Sequence, residues 1–259
     1  MSVSRCLTIA TSDSGGGAGI QADLKAFAAA GVYGTSALVA LTAQSTTAVT
    51  AVHELPPDFI RAQLDAVFDD IGVDAAKTGM LFSKTIIETV AEFLERHPVT
   101  LVVDPVLIAS SGAQLLQTDA VETLIHRLFP LAAVVTPNLP EAETLTDLPG
   151  APRRELAERL VELGAAAAIV TGGHGDTAVD HLFDGTEHVE LPVERHPVAA
   201  THGAGCTHSA TLAALLARGL PLVEAARGAS AAASAAVRNG LVEIGAGEGP
   251  VDALNLRGR

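Results

Sequence analysis

Short, nearly continuous apolar runs that stop at a turn constrain this chain more than any other feature. Thr100–Val103 ends in Asp-Pro, and Ala168–Thr171 ends in Gly-Gly. A strand with no polar face has no side to show to water, so it must be covered on both faces, as parallel strands in α/β domains are. Loops at the carboxyl ends of such strands then become the natural place for chemistry. The pattern recurs along the chain and predicts strands over Cys6–Thr11, Ser36–Ala43, Thr50–Glu54, Ala75–Thr78, Thr100–Val103, Val134–Thr136, Ala168–Thr171 and His181–Phe183. Between them, amphipathic stretches predict helices over Ile20–Ala30, Asp58–Ile71, Lys84–His97, Thr118–Phe129, Leu139–Thr146, Arg153–Leu163, Cys206–Arg218 and Leu222–Asn239. Strands alternating with helices predict a doubly wound α/β architecture. No internal repeat, charge run or Pro/Ser-rich linker interrupts residues 1–259, so one domain is expected, with a weakly specified tail after Val251.

Charge narrows the partners. The chain carries a formal net charge of −14, which argues against a nucleic-acid or acidic-membrane surface. Its only lysines are Lys25, Lys77 and Lys84, all in the first third. A phosphate site in the second half must therefore rely on backbone N–H groups, arginine or bound metal. With 48% hydrophobic and 18% charged residues the chain is expected to be globular. No apolar run reaches the ~18 residues of a membrane span, and Cys6–Ala10 is too short for a signal peptide. Two cysteines, Cys6 and Cys206, suggest a reduced, cytoplasmic setting without a disulfide framework.

Several nucleotide and hydrolase motifs are absent. There is no Gly-Lys dipeptide for a Walker A loop, no G-x-G-x-x-G and no G-x-S-x-G. His188-x-Glu190 lacks the Pro-Cys-x-x-Cys of zinc deaminases. Instead, Gly203-Ala204-Gly205-Cys206 opens a helix. Small residues let N–H groups converge on an anion there, and the helix dipole favours negative charge and a lowered thiol pKa at Cys206. Nearby phosphate would push that thiol back up. Ser12–Gly19 is a glycine-rich strand-to-helix turn that a ligand can approach closely, or a simple capped connection. Asp104 follows a buried strand, where it could hold a hydrated magnesium ion or merely form a turn. Asn138 and Glu141 have the spacing of a capping box, compatible with a place near metal and phosphates. Gln44 ends a strand and could present its amide to a heterocycle. His202 and His208 flank the cysteine turn, but two isolated histidines around a glycine turn are not assigned metal binding or catalysis.

Taken in order, these pieces resemble the hydroxymethylpyrimidine/phosphomethylpyrimidine kinases of the ribokinase-like superfamily. The resemblance runs through Ser12–Lys25, Thr42-Ala43-Gln44, Lys77-Thr78-Gly79-Met80, Asp104-Pro105-Val106, Thr136–Ala142, Gly172-Gly173-His174 and His202–Cys206. It implies a three-layer α/β/α fold with a central, mostly parallel sheet. It also implies two successive ATP-dependent phosphorylations of 4-amino-5-hydroxymethyl-2-methylpyrimidine in thiamine biosynthesis. By resemblance Gln44 holds the pyrimidine, with Gly19 and Asp23 beside it and Met80 and Val106 as apolar walls. Asn138, Glu141, Thr171 and Gly173 fall to ATP, Asp104 and Glu141 to Mg2+. Gly203, Ala204 and Gly205 become the anion hole and Cys206 the catalytic base. A homodimer is implied as well. The chain departs from the common pattern in having Thr171 where relatives often carry lysine, and Ala204 where they usually carry threonine. A pyridoxine/pyridoxal kinase and a non-catalytic pyrimidine-binding protein are the alternatives.

Overall fold

Nine strands form one sheet in the order β3-β2-β1-β4-β5-β6-β7-β8-β9. The computed structural model describes residues 3–107, 118–173 and 178–258. The strands are β1 (Arg5–Asp13), β2 (Tyr33–Gln44), β3 (Val49–Glu54), β4 (Ala75–Thr78), β5 (Thr100–Val103), β6 (Val134–Val135), β7 (Ala168–Val170), β8 (Val179–Phe183) and β9 (His188–Pro192). Strands β2, β1, β4, β5, β6 and β7 run parallel, as expected. Three pairings are antiparallel: β2 with β3, β7 with β8, and β8 with β9. Strand β9 was not expected, because His188–Pro192 is short, half-polar and lies at the sheet edge, where one face needs no apolar cover.

The helices are α1 (Gly19–Ala29), α2 (Pro57–Ala66), α3 (Lys84–Arg96), α4 (Thr118–Leu128), α5 (Leu139–Thr146), α6 (Arg153–Glu162), α7 (Ala204–Ala217) and α8 (Leu222–Arg238). Two buried clusters divide them between the sheet faces. Leu7, Ile9, Val39, Leu101 and Val103 pack with residues of α2 to α6 such as Ile60, Ile87, Phe93, Leu124 and Leu156. On the other face Val102, Val134 and Ile169 meet Phe27 of α1 and the alanines of α7 and α8. Strand β5 thus sends Leu101 and Val103 one way and Val102 the other, the two-sided burial its apolar run implies. The same burial explains α3, whose β-branched Ile86 and Ile87 are poor helix formers by a few tenths of a kcal/mol. Burying Ile86, Ile87, Val90, Phe93 and Leu94 stabilises by about 1.5–3 kcal/mol each and outweighs that preference.

Two expectations are corrected. The helix expected over Asp58–Ile71 leaves the α conformation at Ala66 and continues as a π turn over Val67–Ile71. Gly72 closes that turn, its N–H donating to Val67 O at 2.8 Å. Arg5 Nη1 donates to Ile71 O at 2.7 Å and fills the space beside Gly72, where a Cβ would stand 2.6 Å from it. The tail after Val251 is better tied than expected. Buried Asp252 accepts from the N–H groups of Leu254 and Leu256, while its own N–H donates to Ala236 O. No helix among the described residues is long and apolar enough to cross a membrane.

Candidate active site

The chain leaves β1 toward β2 on one side and later returns to lay β4 on the other, so the sheet changes direction between β1 and β4. Loops diverge at such a point and leave a crevice at the carboxyl ends of the strands. Here β1 ends at Asp13, β4 at Thr78 and β5 just before Asp104.

Asp13 organises the β1–α1 turn. Its carboxylate accepts from the N–H groups of Gly15 (2.7 Å), Gly17 (3.1 Å) and Ala18 (2.9 Å), and lies 3.1 Å from His202 Nε2. Burial alone would raise its pKa, but the His202 bond and the Ala18 and Gly15 amides outweigh burial and lower it. Three amides of the glycine run are therefore spent on the turn itself. His202 Nε2 also lies 3.5 Å from Gln44 Nε2, and Gln44 Oε1 accepts from Thr42 Oγ1 at 3.1 Å. Asp13, His202 and Gln44 thus form one polar cluster at the mouth of the crevice.

The two glycine turns interlock. Gly203 has φ +86°, and a Cβ on it would stand 1.8 Å from Gly17 O. Only glycine allows this approach, which seats the start of α7 on the β1–α1 turn. In α7 the Ala204 N–H already donates to Thr201 O, and Thr207 N–H begins the helical ladder on Gly203 O. Gly205 and Cys206 are the first-turn amides with no intramolecular partner among the described residues, and no side chain caps this end. The anion cradle expected over the whole tetrad loses the Ala204 donor and keeps the N–H groups of Gly203, Gly205 and Cys206, none of which has a partner among the described residues.

Cys206 is partly open to the crevice. Its thiol nonetheless lies against packed groups, and burial pushes it up to about 12. Lys77 and the Gly19 N–H pull it down, whereas Asp104 and Asp23 push it further up. Position alone set the helix dipole against nearby phosphate and left the direction of the thiol's shift open; burial sets it upward. Gly19, at φ +57°, owes its glycine to Thr11 O, which a Cβ would meet at 2.3 Å.

Lys77 is a buried charge at this crevice for which the sequence offered no role. It is fully buried in β4, with Nζ 2.8 Å from Asp23 Oδ1 and 3.5 Å from Asp104 Oδ2. Burial alone would lower its pKa, but Asp23, Cys206 and Asp104 raise it above the ordinary value, so the ammonium stays charged. A lysine inside an apolar central strand was the available signal, because buried lysines are rare unless paired. Asp23, read as a substrate contact, is itself fully buried, with its second oxygen accepting from Thr8 Oγ1 at 2.6 Å. It faces Lys77 and reaches the crevice only through it.

Asp104 also accepts from Ser209 Oγ of α7 at 2.7 Å. Glu141 forms the expected capping box: its Oε2 accepts from Asn138 N–H at 2.9 Å, and Asn138 Oδ1 accepts from Glu141 N–H at 3.0 Å. Burial, reinforced by the Asp104 charge, pushes Glu141 up to about 8 despite the Asn138 and Leu107 amides. Two hard-oxygen donors that repel one another suit a hydrated divalent cation. No group of three or more His, Cys, Asp or Glu side chains among the described residues converges to hold one directly. Asn138 and Thr171 sit side by side across a β-bridge, and Gly173 is exposed beyond them. Met80 is buried, its carbonyl accepting from Thr11 at 3.0 Å, and Val106 is half-buried next to Asp104. His174 of the quoted motif lies outside the described residues.

The family profile described as Phosphomethylpyrimidine kinase covers residues 13–252. A hydroxymethylpyrimidine/phosphomethylpyrimidine kinase of Rhizobium meliloti is 50% identical over 252 residues, 95% of either chain. An ADP complex of Bacillus subtilis pyridoxal kinase superposes with a TM-score of 0.90 at 38% identity, covering 99% of both chains. The phosphomethylpyrimidine kinase of Clostridium difficile 630 does so with a TM-score of 0.79 at 40% identity, over 89% of this chain and 97% of that one. The fold is the ribokinase-like three-layer α/β/α arrangement. With the profile spanning both glycine turns and half its residues shared with a full-length relative, the chain belongs to the phosphomethylpyrimidine kinase family and is a kinase.

Proposed function

We propose that this chain phosphorylates the alcohol of 4-amino-5-hydroxymethyl-2-methylpyrimidine from ATP, and then the resulting monophosphate to the diphosphate, in thiamine biosynthesis. One observation carries the reading: the amides of Gly203, Gly205 and Cys206, without a partner among the described residues, lie with the Cys206 thiol and the buried Lys77 ammonium at the crevice where β1, β4 and β5 end. Phosphoryl transfer asks mainly for positioning and charge neutralisation, and this cluster supplies both. Gln44, steadied by Thr42 and beside His202, offers its amide to the pyrimidine edge. Met80 and Val106 provide apolar cover. The Gly203, Gly205 and Cys206 amides receive the transferring phosphate, and Asn138, Thr171 and Gly173 lie on the nucleotide side.

Cys206 takes the alcohol proton in the first transfer; such a role reaches roughly 10²–10⁴-fold where the base titrates near the working pH, and less for a thiol pushed up to about 12. Its thiol is protonated in the free site at neutral pH, so the first transfer follows the small ionised fraction. The second acceptor is a phosphate oxygen that is already ionised and needs no base. Mg2+ fits Asp104 and Glu141, whose mutual repulsion it would relieve, and when bound it neutralises phosphate charge. The family resemblance also supports a cytoplasmic homodimer, which sedimentation of the purified chain would test.

A second reading, pyridoxal phosphorylation, is favoured by one observation, the superposition on pyridoxal kinases. Purified chain, ATP and either alcohol, followed by mass for mono- and diphosphate products, decides between them. Stepwise conversion of the pyrimidine to the diphosphate is expected. Turnover of pyridoxal alone would sink the first reading.

A further inference from the structure

The Gly172 peptide, at the turn after β7, is gripped from two sides. Its N–H donates to Asp180 Oδ1 of β8 at 2.6 Å, and its carbonyl accepts from Arg195 Nη2 at 3.5 Å. Asp180 is buried, and its other oxygen accepts from Ser230 Oγ of α8 and lies 3.6 Å from His208 Nε2 of α7. This arrangement has an electrostatic consequence. A phosphate-binding turn ordinarily offers its amides, yet the Gly172 amide is committed to a carboxylate behind the turn. A polyphosphate arriving at Thr171 and Gly173 also meets a chain of net charge −14. The lysines stand at 25, 77 and 84, and Lys77 is committed to Asp23 and Asp104. A cation is needed on this turn, and Arg195 lies against it, exposed on the segment between β9 and α7. Its guanidinium has five donors in a planar fork and can hold Gly172 O and a phosphate oxygen together.

We propose that Arg195 is a nucleotide-binding residue that contacts the ATP polyphosphate, oriented by the Gly172 carbonyl. The inference rests on Thr171 and Gly173 being nucleotide contacts, and the test separates the two. Calorimetric titration of the full chain with ADP, and separately with the hydroxymethylpyrimidine, is run on Arg195→Gln, Arg195→Lys and Thr171→Glu. Arg195→Gln is expected to weaken ADP about tenfold and flatten its salt dependence, with pyrimidine affinity unchanged. Arg195→Lys, which keeps the charge and loses the fork, should recover only part of the ADP affinity lost in Arg195→Gln. Unchanged ADP binding in Arg195→Gln overturns the proposal, and so does equal weakening of both ligands. If Thr171→Glu weakens ADP while Arg195→Gln does not, Arg195 alone is ruled out. If neither variant affects ADP, the nucleotide reading of this turn falls with it.

Discussion

Replacing Glu141 with glutamine tests the electrostatics of the site through stability, without any substrate. The folded carboxyl ionises at about 8, against an ordinary value of 4.5, chiefly because it is buried and secondarily because Asp104 is near. The folded chain therefore keeps a proton that the unfolded chain has lost. The sign follows: stability from the neutral carboxyl is fully present below about pH 4.5 and drains away as pH rises through 8. Each pH unit in that window is worth about 1.4 kcal/mol, giving roughly 3 to 5 kcal/mol over the whole span. Glutamine keeps the cap, since an amide oxygen at this position can still accept from the Asn138 N–H, and it does not titrate. Urea unfolding at pH 5.5 and pH 8 should show the native chain losing stability relative to Glu141→Gln as pH rises. Magnesium ion added at pH 8 should restore part of that loss in the native chain, with release of a proton, and much less in the variant. A stability difference between the two proteins that is the same at both pH values would refute the reasoning.

Three further outcomes follow from the same cluster. Cys206→Ala should reduce the first phosphorylation by up to about 10²-fold at neutral pH, more as pH rises, and the second by far less. In the native chain the first rate should still climb above pH 9, as expected of a thiol near 12; equal losses in both steps would leave Cys206 a purely geometric role. Lys77→Met strands Asp23 and Asp104 without their cation, so a loss of about 3–5 kcal/mol is expected on urea unfolding, largely recovered in Lys77→Met/Asp23→Asn. No recovery in the double variant would mean that lost packing, not charge, sets the cost. Gly203→Ala drives a methyl into Gly17 O in a backbone conformation that disfavours side chains, and should cost about 2 kcal/mol or more together with most turnover. Gly205→Ala, with open space at its Cβ, should stay within about 1 kcal/mol of native stability; similar losses at both positions would contradict the interlocked turns.

What the sequence made legible follows periodicity and short-range geometry. Strand β5 was readable because its apolar run had no solvated face, and the Asn138–Glu141 box because a cap joins residues three apart. The ordered strand-end motifs likewise gave the family. The features that escaped depend on residues far apart in the chain. Lys77 acquires its role only because β4 lies between β1 and β5, which brings Asp23 of α1 against it and Asp104, just after β5, within reach. Gly203 is required by Gly17, 186 positions earlier, and nothing local to either turn announces that contact. The thiol of Cys206 is the instructive case. Position at a helix start gave a lowering term of at most one to two kcal/mol with the net sign open, and burial, joined by Asp104 and Asp23, acts the other way and is larger. A helix start favours an anion only if water or a cation shares the burden, and here Lys77 is already engaged by two carboxylates. The site is therefore built to receive charge from its ligands rather than to hold it in advance. The base role proposed for Cys206 therefore belongs to the step whose acceptor still carries a proton.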